Sequence, residues 1–147
     1  MNLTVEVHAT RPSAEIAQIE DALHRYNVAH FGNDDATPVV VLLRDETGHL
    51  YGGLVGTTYW QWLAIDLLWI DDALRGRGYG SQLLHTAETV ARQRGCHSAH
   101  LDTFSFQAPA FYQQHGYEIY GTLDNYTAGQ QRLYLRKRLL TQTQHEE

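Results

Sequence analysis

A single cysteine, Cys96, stands among 147 residues, so no internal disulfide can form and a reducing cytoplasm is the expected compartment. Basic charge is also scarce. Eleven Lys and Arg face 17 Asp and Glu, a formal net charge of -6, which is the wrong sign for a protein that works by neutralising nucleic-acid phosphates. Apolar runs of membrane-spanning length are missing, since even the greasy segment Leu63–Ile70 is short and interrupted by Asp66. No apolar leader follows Met1, and no repeat or low-complexity tract appears. Neither nucleic acid nor a membrane is an expected partner. What remains is an ordinary globular composition, 43% hydrophobic with its 12 glycines spread rather than gathered into a linker, which suits one domain over residues 1–140. Residues 141–147, TQTQHEE, read as a frayed tail.

Hydrophobic periodicity orders the chain. Leu3, Val5 and Val7 alternate with polar residues and predict a first strand, and Ile16, Ile19, Leu23 and Tyr26 then predict a helix over Ser13–Asn27, with Ser13 able to cap it. Three strands are expected between Pro38 and Asp71, the first turn at Asp45–Gly48 and the second near Thr58–Gln61. Leu83, Leu84, Ala87, Val90 and Ala91 share one face of a helix that Gly95 stops. A strand over His97–Phe106, a short helix ending before Gly116, and strands over Tyr117–Leu123 and Gln131–Leu139 complete the order β, α, β, β, β, α, β, α, β, β.

Between the strand that ends near Ile70 and the helix that starts near Gly78 lies Arg75-Gly76-Arg77-Gly78-Tyr79-Gly80-Ser81. Helix N-termini carry unpaired N–H groups and the positive end of the helix dipole, and glycines let the backbone approach a phosphate closely, so this unit suits an anion. The same glycines also suit a tight strand-to-helix turn. A P-loop needs a lysine that this loop lacks, and the spacing Gly76-x-Gly78-x-Gly80 is not the dinucleotide fingerprint.

The loop does fit R/Q-x-x-G-x-G/A through Arg75, Gly78 and Gly80, and Ala110–Gly121, AFYQQHGYEIYG, supplies a second pattern, F-Y-x-x-x-G-F/Y. Together, in this order and separated by one amphipathic helix and one strand, they resemble the GNAT superfamily of N-acetyltransferases. The resemblance implies an α+β or α/β fold whose mixed central β-sheet is flanked by helices and splayed between its fourth and fifth strands, here about Gln61–Ile70 and His97–Phe106. It also implies acetyl-CoA as acyl donor. Its pyrophosphate would lie on Arg75, Gly76, Arg77, Gly78, Tyr79, Gly80 and Ser81, and its pantetheine against the backbone of Leu68, Trp69 and Ile70, with the N–H near Leu68 polarising the thioester. A β-bulge commonly accompanies the splay.

Tyr112 matches the family tyrosine that faces the CoA sulfur, where a phenol can protonate or hydrogen-bond the departing thiolate; beside Phe111 it also fits as a core aromatic. Ser105 stands where the family often has Asn, and its hydroxyl can make one cofactor contact. For the proton of the attacking amine Asp66 is the leading base, because burial among apolar neighbours would raise its pKa, although family acids often lie nearer Leu63 and Ala64; a structural Asp66 fits equally. Asp102 and His30 are reserves. Asn33, Asp34 and Asp35 would suit a cationic acceptor or a solvated loop, and the aromatics of Thr58–Leu63 an acceptor pocket, core packing or a dimer contact.

No metal site is expected: His97 and His100 differ in strand parity, and His24 and His30 share no helical face. The implied activity is direct acetyl transfer to a primary amine in a ternary complex. The acceptor stays open among small amines, antibiotics, amino acids and protein amines. A non-catalytic acyl-CoA sensor or interaction module would use the same loop. Dimers are common in the family, and no interface is legible here.

Overall fold

The computed structural model describes residues 1–139, which form two compact units, Met1–Asp34 and the chain from Asp35 onward. The segment 141–147, read as a frayed tail, lies outside the described residues. In the first unit, the alternation of Leu3, Val5 and Val7 does not become a strand: residues 1–8 have no regular structure and the three side chains are exposed. A strand exists through its hydrogen-bonded ladder, and this unit contains no second strand to pair with. Helix α1 (Ser13–Phe31) follows, with Pro12 rather than Ser13 at its N-cap and no side-chain cap. It runs one turn past the expected Asn27 and ends at Gly32, whose φ of 81° a Cβ would strain and whose N–H donates to the Val28 carbonyl at 2.8 Å.

The second unit is a six-stranded mixed sheet with helices. Strands β1 (Thr37–Arg44), β2 (Leu50–Tyr59) and β3 (Trp62–Ile70) form an antiparallel meander. Asp45 shapes its first turn by accepting, on Oδ1, the Thr47 and His49 N–H groups at 2.9 and 3.0 Å. Trp60 and Gln61 make the second, both with positive φ (43° and 67°), the twist that a two-residue hairpin requires. A 3₁₀ turn (Asp72–Leu74) and helix α2 (Tyr79–Gln93) lead to β4 (Ser98–Phe104), then α3 (Pro109–Gln114), β5 (Glu118–Leu123) and β6 (Arg132–Arg138). The strand order is β1-β2-β3-β4-β6-β5, with β3–β4 the one parallel pair.

That parallel pair is short. Trp62–Ile65 match Ser98–Leu101, and beyond Ile65 the strand has no β4 partner, while β4 continues along β6 to Phe104. The expected splay is therefore present, between β3 and β4, and the expected bulge accompanies it. Val55 faces Leu67 and Gly56 faces Ile65, which leaves Asp66 as the extra residue. Gly56 permits the close approach, since a Cβ there would lie 2.5 Å from the Ala64 carbonyl oxygen.

Helix α2 supplies the core from one face. Leu83, Leu84, Ala87 and Ala91 are buried, Val90 is partly buried, and they pack with Leu54, Leu63 and Leu135 of the sheet. One charged side chain goes in with them. Glu88, 1% exposed, accepts the Tyr117 hydroxyl at 2.8 Å and is held by Lys137 Nζ at 2.9 and 3.1 Å, with Arg92 at 3.8 Å. These bonds join α2 to β6 and to the segment after α3. Burial first, then the Glu88 carboxylate, push the Tyr117 phenol well above its ordinary range.

Removing one partner of a buried ionic group strands the others. Glu88→Ala is expected to cost about 3 kcal/mol, seen as a lower urea midpoint at unchanged slope, with Glu88→Gln losing clearly less because it still accepts from Tyr117. The raised Tyr117 pKa favours the folded state while the phenol stays protonated, so its contribution is lost as pH rises above about 10. Denaturant melts across alkaline pH should show that decline, and Tyr117→Phe should make it shallower.

Candidate active site

The loop after β3 is shaped by its own side chains. Asp71 accepts the Ala73 N–H at 2.9 Å and opens the 3₁₀ turn, and Arg75 folds back, its Nε donating to the Ile70 carbonyl at 3.1 Å and a terminal nitrogen meeting Asp72 at 2.9 Å. Gly76 and Gly78 follow with φ of 77° and 87°, in the left-handed region open to glycine, and the chain turns into α2. Gly78 is the N-cap, no side chain caps the helix, and its first turn has no acidic residue. Its orphan N–H groups are thus left for an external anion. Gly80 has ordinary φ but faces the Phe111 ring, where a Cβ would lie 3.3 Å from the ring edge, so α3 sits directly against this first turn.

A cavity of about 950 Å³ joins this loop to the splay, within the range of small-molecule clefts. Its walls bring together most of the residues singled out from the sequence: Asp66, Leu68, Trp69 and Ile70 from β3, Arg75, Gly76, Gly78, Tyr79, Gly80 and Ser81 from the loop and α2, and Tyr112 from α3. Tyr112 is partly buried in contact with the core, and burial raises its phenol pKa, so the hydroxyl stays protonated across neutral pH.

Several expectations change. Arg77 is not on the cavity wall. Neither is Ser105, whose hydroxyl donates to Gln130 Oε1 at 2.7 Å and accepts the Gln131 N–H at 2.9 Å, tying β4's end to the loop before β6. Asp66 lines the cavity but is exposed, because the bulge turns it out of the pleat, so the burial meant to activate it is absent. Asp102 also lines the wall and is bound by Arg132, at 2.7 and 2.9 Å from two guanidinium nitrogens. His30, in the first unit, gives Nδ1–H to the Tyr26 carbonyl at 2.8 Å and stacks on that ring. His97 and His100 do not face opposite ways; both rings stand edge-on to Trp62, at 5.7 and 5.6 Å, because His97 precedes β4 and escapes its alternation.

Sequence reasoning passed over Thr103, Phe106 and Gln107 on the cavity wall, and His115, which bonds the wall residue Ser81. Gln107 Oε1 accepts from the Thr103 hydroxyl (2.9 Å) and the Phe104 N–H (2.7 Å), closing the turn after β4. His115 bonds Ser81 at 2.9 Å, 34 positions away, a contact for which the sequence offered no local signal. Among the described residues no three His, Cys, Asp or Glu side chains gather as a metal site, and no helix is long and apolar enough to cross a membrane.

A splayed mixed sheet, a helix start that no side chain caps and a partly buried phenol share one cavity, the arrangement of an acyl-CoA-dependent acetyltransferase. The acetyltransferase (GNAT) family model matches residues 5–117, and the chain belongs to that family, whose members use acetyl-CoA as donor. Among its relatives, the acetyltransferase Atu2258 of Agrobacterium fabrum is 38% identical over 120 residues, 82% of this chain and 88% of that protein. A blasticidin-S acetyltransferase of Streptomyces morookaense is 48% identical over 85 residues, covering 57% of this chain and 62% of that protein. The crystal structure of an acetyltransferase from Bacillus cereus superposes with a TM-score of 0.80 at 36% identity, covering 91% of this chain and 98% of that one.

Backbone freedom at the loop can be tested separately from side-chain crowding. Gly78→Ala meets no neighbour within 4 Å, so only its φ of 87° is strained. It is expected to lower stability by about 1 kcal/mol, a fall of about 3 °C in Tm by calorimetry.

Proposed function

We propose that the enzyme transfers acetyl from acetyl-CoA to a primary amine by direct attack in a ternary complex. One observation carries this reading: the first turn of α2 with no side-chain cap, the stretch of β3 beyond its β4 pairing, and Tyr112 all line one cavity. In this account the N–H groups of the loop and first turn, Gly76 to Ser81, hold the pyrophosphate of CoA. Pantetheine pairs with the β3 backbone at Leu68–Ile70, which lacks a β4 partner, as an added strand would. The N–H near Leu68 bonds the thioester oxygen as it becomes an oxyanion.

A neutral amine attacks the thioester carbon, and the tetrahedral adduct collapses by breaking the C–S bond. Tyr112 donates a hydrogen bond or its proton to the leaving thiolate. Its raised pKa keeps the phenol protonated, and so able to donate a hydrogen bond, as the sulfur, whose thiol has a cysteine-like pKa of about 8.5, becomes negative. Asp66, exposed at the bulge on the cavity wall, passes the ammonium proton to solvent. Most of the acceleration comes from alignment of amine and thioester. One relative is named a blasticidin-S acetyltransferase, so blasticidin S is the first acceptor to try. Cys96, a lone buried thiol, suits a reducing cytoplasm.

Tyr112→Phe removes only the hydroxyl. With a panel of small amines and thiol-release detection, kcat is expected to fall about 100-fold while CoA affinity stays within about twofold. Unchanged turnover would remove Tyr112 from the mechanism. Thermal protection by CoA with none from ATP or NAD tests the donor assignment itself.

A further inference from the structure

The N-terminus of α2 and the helix that carries Tyr112 are joined by one side chain. His115, just past the end of α3, turns Nδ1 to the Phe111 carbonyl at 2.8 Å, and since a carbonyl only accepts, Nδ1 carries the proton. In the neutral ring Nε2 is then an acceptor, and the Ser81 hydroxyl, 2.9 Å away, donates to it. Ser81 lies in the first turn of α2, and its neighbour Gly80 receives the Phe111 ring. Phe111 and His115 also stack, with centroids 4.6 Å apart. Both members of the pair are only partly exposed.

We propose that His115 is a positioning residue: through Ser81 it sets the distance between the first turn of α2, where the pyrophosphate of CoA binds, and the Tyr112 hydroxyl on α3. This rests on the function proposed above. The physical reason is the shape of the donor. CoA is held at its pyrophosphate by backbone N–H groups and reacts at its sulfur, so the two ends must be met in register. The pyrophosphate contacts belong to α2 and its loop, the thiolate contact to α3. A helix of six residues has little stability of its own, so its position is set by what it is fastened to. At the first turn of α2 the fastenings are the Phe111 ring on Gly80 and the Ser81–His115 bond, while Glu88 further along α2 holds Tyr117, beyond the end of α3. Of the two at the first turn, the hydrogen bond is directional and resists sliding of α3 along α2, which ring packing tolerates.

Loss of the bond therefore displaces the thiolate partner and leaves the backbone contacts to pyrophosphate intact. His115→Ala and Ser81→Ala are each expected to lower kcat for acetyl transfer about three- to tenfold, with KM for acetyl-CoA within about twofold. The double variant should lose no more than either single one, because both remove the same bond. In the Tyr112→Phe background, His115→Ala should add little, since there is no longer a hydroxyl to place. A simple structural role would move stability alone and leave kcat untouched. Ser81→Ala is kept as the second variant because alanine is favourable in a helix and the hydroxyl is all that it removes. Unchanged kcat in Ser81→Ala, a rise in KM alone, or losses that multiply fully in the double variant would each overturn the proposal. Wild-type protein that neither binds CoA nor releases thiol would instead overturn the underlying function, so the two failures are distinguishable.

Discussion

The whole site depends on a parallel ladder that stops early. β3 and β4 pair over Trp62–Ile65 and Ser98–Leu101, and the bulge at Asp66 ends their register just there. An extra residue in one strand bends it and disrupts the next rungs, so the two strands part instead of zipping to their ends. Backbone groups left without partners in a sheet interior are costly unless something pairs with them. In this protein the gap opens into the cavity, where a ligand with its own amides can complete the ladder. Gly56 belongs to the same constraint, because a side chain there would collide with the Ala64 carbonyl and push β2 and β3 apart at the bulge.

Around that gap the fold places two helix-derived groups, held by apolar packing and, in addition, by directional polar bonds. α2 crosses over from β3 to β4 and anchors its apolar face on the sheet, while buried Glu88 ties it to Lys137 on β6 and to Tyr117. Tyr117 follows α3, so the same carboxylate also limits where α3 ends. At the other end of α2 the Ser81–His115 bond does the same for the start of the site. Hydrogen bonds have fixed lengths and directions, whereas apolar packing accepts small slides. A six-residue helix gains a defined position from being held this way.

Periodicity carried most of the architecture. The α2 face from Leu83 to Ala91, the meander of three strands and the glycine loop lie where local chemistry predicted them, since each depends on neighbours in sequence. The failures share a cause. Leu3, Val5 and Val7 alternate as a strand does, but a strand needs a partner that the alternation cannot name. Asp66 looked buried because its neighbours are apolar, yet a bulge removes a residue from the two-residue repeat on which that inference rests. Ser105 looked available to a ligand, but its hydroxyl is taken by Gln130 and Gln131, about 25 residues further along the chain.

The sequence by itself determined the local devices: glycines that admit left-handed backbone at Gly76 and Gly78, a helix whose start is uncapped by any side chain, and a Phe111-Tyr112 pair on a short amphipathic turn. These follow from dihedral preferences and from spacing along a few residues. Only the tertiary structure decided that these devices share one cavity, that Arg77 stays off its wall, and that His115 meets Ser81 across 34 positions. Such contacts arise from the registers and crossovers of the whole sheet, in which a one-residue bulge re-aims everything that follows, and no local window of sequence contains that information.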